Sequence, residues 1–252
     1  MPNVNDFFFS KNTVKSISDS TLDQTSDYLA SIEAIVRTTN NSIYVIDYQK
    51  KGFDYVSSNP LFLCGNTAEE VKKMGYDFYF KHVPEKDIEL LVKINRIGFE
   101  FYDKIPLSDR KNYTISYDFQ LLNNEKKSVL INQKLTPLFL TETGKIWKAI
   151  CIVSLSNANE SGNVKLFKQN SNIVHEYNED GNYWTSAERI KLTGREKEIL
   201  RLSSRGFTIN EIAEEIYISP NTVKFHRKSL FVKLEVNTIS EAIALATSAR
   251  LI

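Results

Sequence analysis

Between Ser219 and Leu234 the sequence places Lys224, Arg227, Lys228 and Lys233 and no Asp or Glu, a local charge of +4 in a chain whose total is +1. Cations so grouped can neutralise a polyanion, and ammonium and guanidinium groups also donate to the edges of nucleic-acid bases. A short basic helix is more often merely a solvated surface. The elements that hold these residues decide between the two.

Leu192 to Ile252 reads as four short helices. Thr193 with Glu196, Thr208 with Glu211 and Thr238 with Glu241 are capping boxes, in which hydroxyl and carboxylate satisfy the free N–H groups of a helix start. Ser219-Pro220 marks the fourth start, with proline where a missing N–H costs nothing. Gly206 closes the first helix. In the second helix Ile209, Ile212, Ala213, Ile216 and Tyr217 recur at helical spacing, and in the third Val223, Leu230 and Leu234 form the inward stripe. Asn221, Lys224, Phe225, Arg227 and Lys228 are left on the other faces.

Two helices with a tight connection, the second basic and outward-facing, are the parts of a helix-turn-helix DNA reader. Leu192-Thr193-Gly194-Arg195-Glu196, Glu211-Ile212-Ala213, Ser219-Pro220-Asn221-Thr222-Val223-Lys224-Phe225-His226-Arg227-Lys228 and Lys233-Leu234 resemble, in order and spacing, the LuxR-type (NarL/GerE-like) DNA-binding domain. The resemblance implies double-stranded DNA as partner. It puts Lys224, Phe225 and Lys228 at base edges and Thr208, Asn210, Asn221, Thr222 and Arg227 at backbone phosphates, with His226 structural. It also implies a homodimer on DNA, with the last helix turning Ile239, Ala242, Ile243 and Ala246 inward and leaving Leu245 for a partner, and contact with RNA polymerase. A second reading stays open, in which the tail resembles a promoter-binding region of a sigma factor and acts mainly through the polymerase.

The remaining chain carries −2 against +3 from Glu188 onward, so basic function is confined to one patch. At 252 residues, 42% hydrophobic, the chain suits two globular domains. Phe7-Phe8-Phe9 needs burial. Leu22 to Arg37 is an amphipathic helix whose stripe packs on its own domain or on a partner subunit.

From Ser42 the period becomes that of strands: Ile43 to Ile46 and Phe53 to Val56 flank a turn at Lys50-Lys51-Gly52. Helical pieces follow from Pro60 to Cys64, Thr67 to Met74 and Pro84 to Tyr102. Strands from Tyr113 to Leu122, Ser128 to Leu140 and Ile146 to Leu155 complete an α+β order with inserted helices. That order, with Val83-Pro84-Glu85-Lys86-Asp87 opening the longer helix, resembles a PAS domain. The resemblance implies a dimerising adapter or a small-molecule ligand, and Phe53, Tyr55, Phe62, Phe78, Phe80 and Phe101 are candidate cavity lining, although aromatics at these spacings are first of all core.

The expected organisation is a helical segment over 1–40, an α+β PAS-like domain over 41–157, a linker with a β-hairpin over 158–189, and an all-α four-helix domain over 190–252. Trp184 in that hairpin is expected to pack against one domain or both.

No phosphate-binding Gly-x-x-x-x-Gly-Lys loop, His-Glu-x-x-His or Gly-x-Ser-x-Gly occurs, and an enzyme is not expected. The flavin light-sensor run Gly-x-Asn-Cys-Arg is absent, no His follows Pro84 in its helix to ligate haem, and the acidic cluster of a phosphoacceptor domain is missing. No cofactor or metal is expected, and His82, His175 and His226 stand apart. Cys64 and Cys151 make no disulfide framework. The longest clean apolar run, Ala149 to Val153, falls far short of the roughly 20 residues of a membrane span, so a cytoplasmic protein is expected.

Overall fold

The structure is a computed structural model and describes residues 2–18, 22, 27–248 and 251. It divides into two compact units, Met1–Ala187 and Glu188–Ile252.

The first unit is built on one antiparallel sheet. β1 (Ser42–Asp47) and β2 (Gly52–Val56) form the expected hairpin, with Lys51 in the left-handed region at φ 53°. Four helices follow: α2 (Pro60–Leu63), α3 (Ala68–Met74), α4 (Asp77–His82) and α5 (Glu85–Tyr102). They are numbered after α1 (Tyr28–Val36), which precedes β1. β3 (Tyr113–Leu122), β4 (Ser128–Leu140) and β5 (Ile146–Leu155) then complete the order β2-β1-β5-β4-β3. This is the PAS-like arrangement, with the helices inserted between the second and third strands.

The hairpin expected within residues 158–189 forms between Ile173–Asn178 and Tyr183–Glu188, and what the sequence did not imply is that it joins the sheet of the first unit. β6 (Gly162–Lys168), β7 (Ile173–Asn178) and β8 (Tyr183–Glu188) extend the same sheet to eight strands beyond β3. The reason is local: β3 would otherwise be an open edge, and β6 pairs with it from Tyr113↔Lys168 to Ser116↔Lys165. Val164 and Leu166 are buried, alternating with the more accessible Asn163 and Lys165.

One face of the sheet and α2–α5 enclose an aromatic core of Tyr44, Phe53, Phe62, Phe78, Tyr79 and Phe119. Phe7 enters it, stacked on Tyr79 at 5.5 Å, and Phe9 stacks on Phe99 at 5.8 Å. Asn12 anchors this leading segment: its Nδ2 donates to the Ile146 carbonyl at 3.0 Å, and its Oδ1 accepts from the Ile146 N–H at 2.8 Å.

The opposite face is covered by α1, whose Ile32 packs on Ile43 and Val45. The stripe of the first helix therefore serves its own domain, while Ile35 remains exposed. Residues 23–26 of the expected helix lie outside the described residues. Burying a side chain such as Ile32 stabilises by roughly 2 kcal/mol. Polar groups fix the helix further: the Tyr28 hydroxyl donates to Asp54, which with Asp47 holds the buried Lys148 ammonium.

Candidate nucleic-acid interface

The second unit consists of α6 (Gly194–Ser204), α7 (Ile209–Glu215), α8 (Pro220–Leu234) and α9 (Ile239–Ser248). The capping boxes at Thr193 and Thr208 form, and Ser219 caps α8 by accepting from the Thr222 N–H at 3.1 Å. Before α9 the Glu241 carboxylate accepts from the Asn237 and Thr238 N–H groups at 2.9 and 3.3 Å. Ile199, Leu200, Ile212, Val223, Leu230, Leu234, Ala242 and Ala246 make a core separate from that of the first unit.

Glu196 ties α6 to α8. Its carboxylate accepts from Thr193 N–H at 2.7 Å, Ser229 Oγ at 2.8 Å and Lys233 Nζ at 2.8 Å. Burial alone would raise its pKa, but these donors outweigh it and bring the group down to about 2. Lys233 is thus committed to the fold and leaves the set of free cations.

On α8, Val223, Leu230 and Leu234 are buried while Asn221, Lys224, Phe225, Lys228 and Val232 are exposed. At 100° per residue these five fall on one stripe, directly opposite the buried one. Arg227 and Thr222 lie on the two flanks, half-buried, and the Arg227 guanidinium sits 5.9 Å from the Phe231 ring. Thr208 and Asn210 are exposed at the start of α7. The three expected base-edge residues therefore share one face with Asn221, one of the expected phosphate residues, and Thr222 and Arg227 flank that face. Val232 belongs to the same face, and the i, i+4, i+7, i+11 spacing from Asn221 was the signal for it.

Two expectations are corrected. Tyr217 is not on the buried face of α7 but 94% exposed. The helix ends at Glu215, and Tyr217 turns left-handed at φ 54°, so helical spacing no longer applies. Leu245, expected to face a partner, is half-buried and packs against this unit's own core.

A second candidate site lies in the first unit. A cavity of about 50 Å³ is bounded by α5 and by β3 and β4, with Tyr48, Phe99, Phe101, Tyr102, Tyr117 and Leu135 among its lining and no charged side chain. Of the six aromatics expected to line a cavity, Phe101 does so; Phe53, Phe62 and Phe78 pack into the core, and Phe80 is exposed. Tyr55 lies on the other face with Ile43 and Val45. A bulge explains it: Val45 pairs with Tyr55 but Ile46 pairs with Phe53, so Asp54 is an extra residue and its neighbours point to opposite faces. Among the described residues no helix is long and apolar enough to cross a membrane, and no group of His, Cys, Asp and Glu is placed to hold a metal.

Residues 191–246 match the profile of GerE, described as bacterial regulatory proteins of the luxR family. The CsgBAC operon transcriptional regulatory protein of Escherichia coli (strain K12) is 46% identical over 67 residues, 26% of this chain and 31% of that protein. The transcriptional activator protein EsaR of Pantoea stewartii subsp. stewartii is 43% identical over 67 residues, 27% of each chain. The chain thus spans less than a third of the length of these curated relatives. A solved structure of the Vibrio cholerae VqmA dimer, a LuxR-type receptor without its target DNA, aligns over 88% of both chains at 18% identity with a TM-score of 0.32.

Proposed function

We propose, from the premise that the C-terminal unit is a LuxR-type DNA-binding domain, that the protein is a sequence-specific transcriptional regulator controlled through its PAS-like unit. The observation that carries this reading is the exposed stripe Asn221-Lys224-Phe225-Lys228-Val232 opposite the buried Val223-Leu230-Leu234. A major groove about 12 Å wide admits such a helix. Lys224, Phe225 and Lys228 then reach base edges. Thr208, Asn210, Asn221, Thr222 and Arg227 meet phosphates, which fix orientation without reading sequence.

One such helix covers only a few base pairs, so the working form is a homodimer on two half-sites about one helical turn apart. RNA polymerase is its further partner at promoters, and the compartment is the one that holds bacterial DNA, the cytoplasm. In the first unit, the uncharged cavity beneath Phe101 is the place for a small neutral ligand. Its volume of about 50 Å³ lies well below the roughly 300 Å³ of ordinary ligand pockets, so a ligand enters by displacing side chains.

The test is selection of bound duplexes from random DNA by the full chain without polymerase, followed by light scattering of the complex. Enrichment of a repeated half-site bound by two chains is expected. No enrichment, with binding only when polymerase is present, rejects the reading in favour of the sigma-like one.

A further inference from the structure

The exposed stripe of α8 is partly apolar. Phe225 is 69% exposed and Val232 is 72% exposed, and with Asn221, Lys224 and Lys228 they make two apolar positions in five on the surface turned away from the core. Single exposed apolar residues are ordinary on a protein surface. These two, however, are seven residues apart on one helix face, so they stand about 10 Å apart along its axis. The Phe225 ring is also steadied by His226, whose ring meets it at 5.7 Å and 71°.

Lysine has acceptors to find in a major groove, above all O6 and N7 of guanine, but a phenyl ring has no hydrogen bond to give. Across the four base pairs the major groove offers one apolar group, the 5-methyl of thymine. Resting on the DNA-reading function proposed above, we propose that Phe225 reads the 5-methyl group of a thymine flanked by the bases met by Lys224 and Lys228. The specificity element at this position is then apolar contact and not hydrogen bonding, and Val232 extends the same apolar character along the groove.

The experiment uses the full chain and its selected duplex, with each thymine of the half-site replaced in turn by uracil, which keeps every hydrogen bond and removes only the methyl. At one position the wild type should lose roughly fourfold in affinity, the worth of one buried methyl-sized group. Phe225→Ala should bind thymine and uracil equally there, while Lys228→Ala should keep the preference. Cytosine at that position should bind worse than 5-methylcytosine for the wild type and equally for Phe225→Ala. Because the Phe225 side chain is exposed, the variant is expected to fold, which its helical circular dichroism checks. The proposal is overturned if uracil is tolerated at every position, or if Phe225→Ala retains the wild-type preference for the methyl. Failure to bind any duplex at any salt concentration would instead remove the DNA-reading function itself.

Discussion

The rings of Phe101 and Trp184 stand 5.2 Å apart and meet at 61°, edge to face. Phe101 belongs to α5 and lines the cavity, whereas Trp184 belongs to β8, the strand that runs on into Glu188. Tyr177 holds the other side of Trp184 at 5.1 Å, and His175 approaches Phe101 at 5.0 Å. Anything that swells the cavity therefore presses on the aromatic packing of the last two strands.

Trp184→Ala should destabilise the first unit by about 1–3 kcal/mol, less than loss of a fully buried ring because Trp184 is half-buried. The chain's other tryptophan, Trp147, is in the same unit, so its fluorescence follows that unit alone. Its urea midpoint should fall while affinity for duplex DNA is unchanged. An unmoved Trp147 transition would show that the contact carries no energy.

Removing Lys228 should weaken binding to the selected duplex by about 1–3 kcal/mol and relax preference at one base pair. Arg227→Ala should weaken binding on every sequence alike and reduce the salt slope by about one. Titrations at several salt concentrations separate the two effects, and equal losses of sequence preference in both variants would contradict the assignment.

Acid should loosen the second unit through Glu196. Its folded pKa of about 2 lies below its ordinary 4.5, so the folded state holds its proton less tightly than the unfolded chain does. The stabilisation is complete above about pH 4.5 and is lost as pH falls toward 2, and it amounts to about 2–3 kcal/mol. Glu196→Gln, lacking this titration, should show a flatter dependence of unfolding free energy on pH across that interval. Matching wild-type and variant slopes would remove Glu196 as the cause.

His82 makes the corresponding statement for the first unit. Its Nδ1 lies 3.1 Å from the Leu122 carbonyl, which can only accept, so Nδ1 carries the hydrogen and Nε2 accepts from Asn66 Nδ2 at 3.1 Å. Burial, aided by Lys81 and Lys126 and opposed by the Leu122 hydrogen bond, lowers its pKa below the ordinary 6.5. Its stabilisation is therefore present above pH 6.5 and lost as pH falls through the lowered value. Nitrogen NMR should find a neutral Nδ1–H tautomer at pH 7, and Asn66→Asp should raise the pKa. A protonated ring at pH 7 in the wild type would refute the assignment.

Local signals were legible and non-local ones were not. The boundaries of β3, β4 and β5 and the caps at Thr193, Thr208 and Ser219 depend on neighbours in sequence, and the structure has them where the sequence implies. The membership of β6–β8 in the sheet depends on which edge lies open, and the placement of Tyr55 depends on a bulge, neither of which periodicity reveals. α4 passed unnoticed because Asp77–His82 is short and rich in aromatic residues that suit strands equally well. On α8 the exposure of Asn221, Lys224, Phe225 and Lys228 followed directly from the buried stripe, while that of Val232, further along, was missed.

The bidentate grip of Asn12 on Ile146 joins two residues 134 positions apart. During synthesis at roughly 5–20 residues per second, Asn12 waits between about 7 and 27 seconds for its partner to be made. For that interval Phe7, Phe8 and Phe9 have no finished pocket to enter. The nascent chain thus presents three consecutive phenylalanines to whatever binds apolar segments near the ribosome until β5 has been made.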